Sequence, residues 1–145
     1  MNRCAWIGSS TEHLKPWGRE YVWTGIFRGK EIHINEGCRT SLKFNRQKNE
    51  ILYVQSGKIH VEFADEGHFD SPNKHPSKTA VLKQGGILNV QAGCPYRLSA
   101  LADSVVFEIS DSSSGDDRVI IEDDYGRDNT EAEANNWIFK PSKQQ

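Results

Sequence analysis

The chain has 145 residues, of which 36% are hydrophobic and 26% are charged, and its formal net charge is -2. This length suits one domain, and the composition is typical of a folded globular protein rather than a disordered one. Lysines and arginines are scattered along a mildly acidic chain, and no apolar run approaches the roughly 20 residues of a membrane-spanning helix. We therefore expect neither a nucleic-acid nor a membrane partner.

The three cysteines, Cys4, Cys38 and Cys94, do not form a C-x-x-C pair. An odd number of unpaired cysteines is typical of a reducing compartment. The first residues also lack an apolar run long enough for a signal peptide. The sequence therefore predicts a cytoplasmic protein with inert thiols.

In chain order, residues 1–14 are predicted to form an N-terminal arm. From Tyr21 onward, short runs of β-branched, aromatic and alternating residues are separated by glycine or polar turns, a pattern that predicts strands. The predicted strands are residues 21–27, 30–35, 40–45, 50–55, 57–63, 79–83, 86–90, 96–101, 104–110 and 118–122. About ten short strands without a helical pattern predict an all-β sandwich or barrel over residues 15–127. Residues 128–145 are predicted to be a short C-terminal tail.

Two segments contain the candidate functional residues. Their spacing is Gly37-x5-Lys43-x-Asn45-x4-Glu50-x6-Gly57 and Gly85-x5-Gln91-x-Gly93-x2-Tyr96. Residues two apart on a strand project from one face, so Lys43 and Asn45 point together. Glu50 begins the predicted strand 50–55 and shares its face with the apolar residues Leu52 and Val54. A carboxylate in that position must be paired, protonated or bound to a cation.

Both segments resemble the two motifs of the cupin superfamily, G-x5-HxH-x4-E-x6-G and G-x5-P-x-G-x2-H. More narrowly, four segments in this order are similar to type II mannose-6-phosphate isomerases, including the C-terminal cupin of bifunctional isomerase/GDP-mannose pyrophosphorylases. These segments are KPWGREYVWTG, LKFNRQKNEILYVQSGKIHVE, LKQGGILNVQAGCPYRLSALADSVVFEIS and EDDYGR. The resemblance implies a double-stranded β-helix, a jelly-roll barrel that pairs through edge strands as a homodimer. It also implies a role in nucleotide-sugar or polysaccharide biosynthesis.

The sequence departs from this family where the resemblance implies metal ligands. The isomerases have Gln, His, Glu and His at the positions that here hold Lys43, Asn45, Glu50 and Tyr96. Both imidazoles, the usual anchors for zinc, iron or nickel, are missing. Lysine and tyrosine ligate only after losing protons whose pKa is about 10. We therefore expect no cofactor and no tightly bound metal, where the family ancestor would use a divalent ion such as zinc.

The candidate site residues fall into two sets. The catalytic candidates are Glu50, Lys43 and Tyr96, and the substrate-binding candidates are Arg97, Asn45 and Lys48. We expect the Lys43 ammonium to neutralise Glu50 in place of the metal, as an ion pair. Arg97 matches an arginine that lines the sugar-phosphate site of the family, and its planar fork suits two phosphate oxygens. A surface arginine on a strand is the alternative.

Two further alternatives concern orientation and register. Alternation alone favours Leu42 and Phe44 as the inward pair, whereas the resemblance favours Lys43 and Asn45; a strand covered on both sides satisfies both. If the register of the motifs were shifted, His33 or His60 would supply the site. Both alternate with apolar neighbours, so we expect them on the surface.

Three functions are compatible with these residues, each acting on a small sugar or sugar phosphate. We place first a non-catalytic binding cupin, because the imidazole base is missing. The second is a metal-free isomerase or epimerase in which Lys43 supplies positive charge and Tyr96 moves a proton. The third is a metal-dependent isomerase that uses Glu50 in an altered site.

Overall fold

The computed structural model describes residues 4–65, 76, 78–111 and 118–127. These ranges form strands and no helix, and so contain no helix with the length and apolarity needed to cross a membrane. The strands are β1 (Thr11–Lys15), β2 (Gly18–Trp23), β3 (Arg28–Ile34), β4 (Leu42–Asn45), β5 (Glu50–Ser56), β6 (Lys58–Phe63), β7 (Lys78–Lys83), β8 (Ile87–Val90), β9 (Tyr96–Ala100), β10 (Ser104–Ser110) and β11 (Arg118–Glu122).

The strands form two antiparallel sheets that face each other. One sheet has the order β1-β2-β3-β10-β5-β8 and the other has the order β11-β4-β9-β6-β7. From β8 to β11 the chain changes sheet at every strand, which winds it into a double-stranded β-helix. The all-β jelly-roll barrel predicted from the sequence is thereby confirmed.

Strand β1 was not among the predicted strands. Its residues are polar or exposed, and Leu14 is 77% exposed, so no apolar alternation marks the segment. The strand exists because its backbone pairs with β2, from Thr11 opposite Val22 to Lys15 opposite Gly18. It takes up residues 11–14 of the predicted arm. The predicted tail, residues 128–145, lies outside the described residues.

The apolar core lies between the two sheets. It is built from alternate residues of several strands, among them Ile32, Ile34, Leu52, Val54, Leu98 and Val106. Each such side chain, fully buried, contributes roughly 1.5–3 kcal/mol relative to an exposed one. A second cluster lies on the other face of β4 and β11 and consists of Leu42, Phe44, Val119 and Ile121. Strand β4 is therefore covered on both faces.

Two motif glycines set the turns that bring the candidate site together. Gly57 joins β5 to β6 with φ of 90°, and a Cβ there would lie 2.6 Å from the carbonyl oxygen of Asp103. Gly93 has φ of 87°, and its N–H donates to the carbonyl of Asn45 at 2.7 Å. Both positions require the left-handed region that glycine enters without strain. The second contact docks one motif directly onto the other.

Candidate functional site

Lys43 and Asn45 project from β4 into the barrel. Lys43 lies opposite Tyr96 of β9, and its ammonium is 4.6 Å from the centroid of the Tyr96 ring. Leu42 and Phe44 point the other way, into the second apolar cluster. Both orientations that the sequence left open are therefore used, each on one face of the same strand.

Glu50, at the start of β5, is the acceptor at the centre of the site. Its Oε1 accepts one hydrogen bond from Asn45 Nδ2 and one from the Tyr96 hydroxyl, each at 2.8 Å. The Lys48 ammonium lies 3.9 Å from Oε2. All four side chains are buried. The structure thus brings five of the six predicted site residues together, Lys43 included.

Glu108 of β10 is a second buried carboxyl in this cluster and was not among the predicted site residues. It hydrogen-bonds to Glu50, and it lies opposite Lys30 of β3 in the strand register. A signal for it was present in the sequence. Glu108 shares a strand face with Val106, and a carboxylate on an apolar face requires a partner.

The two carboxyl groups have pKa values on opposite sides of the ordinary one. Burial, followed by the charge of Glu108 and the hydrogen bond to it, raises the pKa of Glu50 to about 7. Burial acts in the same direction on Glu108, but Lys30, the hydrogen bond with Glu50, and Lys43 together lower its pKa. Below about pH 7 the pair therefore shares one proton, which resides on Glu50 while Glu108 carries the charge.

Lys43 and Tyr96 are also shifted by their surroundings. Burial lowers the pKa of Lys43 to about 8, although Glu108 and Glu50 act against it. Burial, with Glu50 and Glu108, raises the pKa of Tyr96 well above its ordinary value, so its hydroxyl remains a donor. The expected ion pair of Lys43 with Glu50 is not found among the described residues: the ammonium 3.9 Å from Glu50 Oε2 is that of Lys48, and that of Lys43 lies over the Tyr96 ring.

Arg97 lies outside this cluster, on the opposite face of β9. Its Nε donates to the carbonyl of Thr40 at 3.0 Å, and its guanidinium lies 3.3 Å from Glu122 and 4.0 Å from Asp124. These contacts tie β9 to the segment before β4 and to the end of β11. Arg97 is only 2% exposed and already holds several acceptors.

His33 and His60 are half-buried and lie away from the cluster. On β3, Ile32 and Ile34 face the core, and His33 faces outward with its Nε2 2.6 Å from Glu31 Oε2. A shifted motif register in which His33 supplies the site does not fit this arrangement.

The cluster does not fit a divalent transition metal. The described residues contain no group of three or more His, Cys, Asp or Glu side chains placed to hold one. Glu50 Oε1 already accepts an amide N–H and a phenol O–H, so Asn45 and Tyr96 act as donors towards it. Lys43 adds a cation beside them. The arrangement suits proton exchange instead, since an acid and an amine both titrate near neutral pH.

No protein-family model and no curated protein matches this sequence. Solved structures do match the fold. A mutant of the Bacillus subtilis oxalate decarboxylase has a TM-score of 0.67 and 17% identity over 88% of this chain and 34% of that one. Procruciferin, an 11S globulin from Brassica napus, has a TM-score of 0.63 and 14% identity over 91% and 36%.

CapF from Staphylococcus aureus, a capsular polysaccharide assembling protein, has a TM-score of 0.60 and 12% identity over 80% of this chain and 33% of that one. The chain thus spans about a third of the length of each of these three proteins. At such identities the likeness concerns the fold alone. With the sheet order and the motif glycines already described, it shows that this chain has the cupin fold.

Proposed function

We propose that this chain is a metal-independent cupin that binds a sugar or sugar phosphate without converting it. The observation that carries the proposal is that Glu50 Oε1 already accepts hydrogen bonds from both Asn45 and Tyr96. Both lone pairs of Oε1 are thus used by protein donors, and Oε2 lies 3.9 Å from the Lys48 ammonium, so an ion would have to displace these partners to bind Glu50. The missing imidazoles also remove the usual base for moving a proton between sugar carbons.

The proposed setting is nucleotide-sugar or polysaccharide metabolism. The four segments similar to type II mannose-6-phosphate isomerases support it, and so does the fold likeness to a capsular polysaccharide assembling protein. A cytoplasmic location belongs to this proposal. A homodimer also belongs to this proposal, and it would form by pairing an edge strand such as β1. Light scattering on the purified chain tests the oligomeric state.

The test combines metal content with ligand binding. Elemental mass spectrometry of the protein, purified without chelator, should find well under one transition metal per chain. Thermal melts with a panel of sugar phosphates should show a rise for at least one of them, because ligand at about a hundred times its Kd adds about 2.7 kcal/mol to stability. Product analysis on that ligand should find no isomer or epimer. Near one metal per chain, or no shift with any ligand, would contradict the proposal.

Rebuilding the inherited ligands gives a positive control for the metal position. The variant Lys43→His, Asn45→His, Tyr96→His restores imidazoles around Glu50 and should take up zinc that the unchanged chain does not. A variant that folds, by circular dichroism, and still takes up no zinc would show that these positions do not correspond to the metal site of the family.

A metal-free isomerase or epimerase is the second candidate, and the pKa values favour it. Glu50, with a pKa of about 7, and Lys43, with a pKa of about 8, are matched to proton transfer near neutral pH. If the chain interconverts a sugar phosphate, turnover should persist with chelator and be lost in Glu50→Gln and Lys43→Met. Turnover that chelator abolishes would remove this candidate.

A further inference from the structure

A cavity of about 320 Å³ opens at the polar end of the barrel, between the β1–β3 edge of one sheet and β11 of the other. Its lining carries four basic side chains, Lys15, Arg28, Lys30 and Arg118, against one carboxylate, Glu20. This volume is at the small end of the range for small-molecule pockets, roughly 300–1,000 Å³. Even without Arg118, the three other basic side chains outnumber the one lining carboxylate, and this excess of positive charge indicates an anionic ligand.

The basic groups are held in place. Glu20 is 6% exposed, and its two oxygens each lie 3.5 Å from an ammonium, one of Lys15 and one of Lys30. One carboxylate therefore orients both ammonium groups, and Lys30 also faces the charge of Glu108, its neighbour in the strand register. The Nε of Arg28 is shielded from solvent and has no hydrogen-bond partner among the described residues. An oxyanion in the cavity therefore meets the terminal nitrogens of this guanidinium rather than its Nε, which no water-sized group reaches.

The charge of the barrel interior next to Lys30 limits how far an anionic ligand can enter from the cavity. Lys30 lies opposite Glu108 in the strand register, and Glu108 is the ionised member of the buried carboxyl pair. The negative charge of Glu108 repels an anionic ligand from the barrel interior. The hydroxyls of Thr11 and Thr24 lie in the same cavity and suit the uncharged, hydroxylated part of a ligand.

We propose that this cavity binds the phosphoryl group of a small phosphorylated sugar, with Arg28, Lys15 and Lys30 as its ligands. The inference rests on the proposed function and names the part of the ligand that this end of the barrel recognises. A guanidinium fork with two ammonium groups matches a dianion better than it matches a neutral sugar. The phosphoryl group therefore lies at the mouth, apart from Arg97.

The experiment is isothermal titration with mannose 6-phosphate, mannose and inorganic phosphate, on the unchanged chain and three variants. Arg28→Gln and Lys15→Gln each remove one cation from the cavity. Arg19→Gln removes an exposed arginine of β2 that pairs with Glu12, and it is the matched control. We expect each cavity variant to lose affinity for the phosphate ester by about tenfold or more and the control to lose none. Mannose should bind far more weakly than its phosphate.

The outcomes separate this inference from the proposed function. If the ester binds and neither cavity variant weakens it, the phosphoryl site is elsewhere and only the inference is overturned. If inorganic phosphate binds through Arg28 and Lys15 but neither sugar ligand binds, the anion site is supported and sugar binding fails. If neither these ligands nor any sugar phosphate of the thermal-melt panel binds to the unchanged chain, both are overturned. Should Arg28→Gln fail to fold, Lys15→Gln decides the result, since the one ion pair of Lys15 within the described part of the chain is with Glu20.

Discussion

The two ends of the barrel interior are built from the same strands and differ in what the inward positions carry. Along β3 the inward residues change from Lys30 at one end to Ile34 at the other. Along β10 they change from Glu108 to Val106, and β5 begins its inward face with Glu50. One end is therefore charged and the other apolar, within a few residues of each other.

The two ends are stabilised in different ways. At the apolar end each side chain stabilises the folded state through its own burial, and that free-energy contribution does not depend on pH. At the polar end the ionised form of Glu108 is favoured because Lys30, the hydrogen bond with Glu50, Lys43 and Lys48 together offset its burial. The removal of one member leaves the others buried without a counter-charge. We therefore expect the polar end to be more sensitive to single substitutions and to pH.

Glu108→Gln should have the largest effect. The substitution keeps the side-chain shape but removes the anion that Lys30 and Lys43 face, which should lower the free energy of unfolding by about 3–5 kcal/mol. Urea denaturation measures this loss. Glu12→Gln makes the same chemical change in an exposed pair with Arg19 and should cost about 1 kcal/mol or less. Equal costs for the two variants would show that the polar end does not depend on Glu108.

Leu98→Ala tests the apolar end. Leu98 is 2% exposed within the main core, and its truncation leaves a cavity that should cost about 3–4 kcal/mol in urea denaturation. This loss should be the same at about pH 5 and about pH 7, because the buried residues of the main core that contains Leu98 carry no group that titrates in this interval. A loss that changes with pH would show that the two ends are coupled.

Much of the fold was predictable because burial leaves a period of two in the sequence. Strands such as β5 and β10 alternate between buried and exposed positions, and the motif glycines fall at turns that need positive φ. Strand β1 was not predictable in this way, because backbone pairing to β2 forms it without an apolar face.

The site was only partly predictable. Tyr96 and Arg97 are adjacent on one strand, so alternation places them on opposite faces, and the family resemblance alone had put both in one pocket. Lys48 lies between β4 and β5, where no strand period indicates the direction of a side chain. Its proximity to Glu50 required the structure.

The pH dependence of stability distinguishes the polar end further. In the folded chain Glu50 keeps its proton up to about pH 7, whereas in the unfolded chain it loses it near the ordinary pKa of 4.5. The folded state therefore binds more protons in this window, and the free energy of unfolding should fall as pH rises from about 4.5 to about 7. The fall attributable to Glu50 is at most about 3 kcal/mol. Lys43 acts with the opposite sign, but only above its folded pKa of about 8.

Glu50→Gln isolates this contribution from other titrating groups. Glutamine resembles the protonated carboxyl, since its oxygen can accept from Asn45 and Tyr96 and its amide can donate to Glu108. The variant should lose most of the difference in unfolding free energy between about pH 5 and about pH 7 that the unchanged chain shows. If the variant shows the same difference as the unchanged chain, Glu50 does not hold the proton.

Tyr96→Phe should have the smallest effect, and it tests a single hydrogen bond. Phenylalanine keeps the buried ring beneath the Lys43 ammonium and removes only the hydroxyl that donates to Glu50 Oε1, while the Asn45 donor remains. We expect a loss of about 1–2 kcal/mol in urea denaturation. The loss should be larger at about pH 7.5 than at about pH 5, because a hydrogen bond to an ionised carboxylate is roughly twice as strong as one to the neutral acid. An equal loss at both pH values would mean that the hydroxyl supports packing alone. A larger loss at higher pH would show that Tyr96 stabilises the charge on Glu50 that a metal would otherwise neutralise.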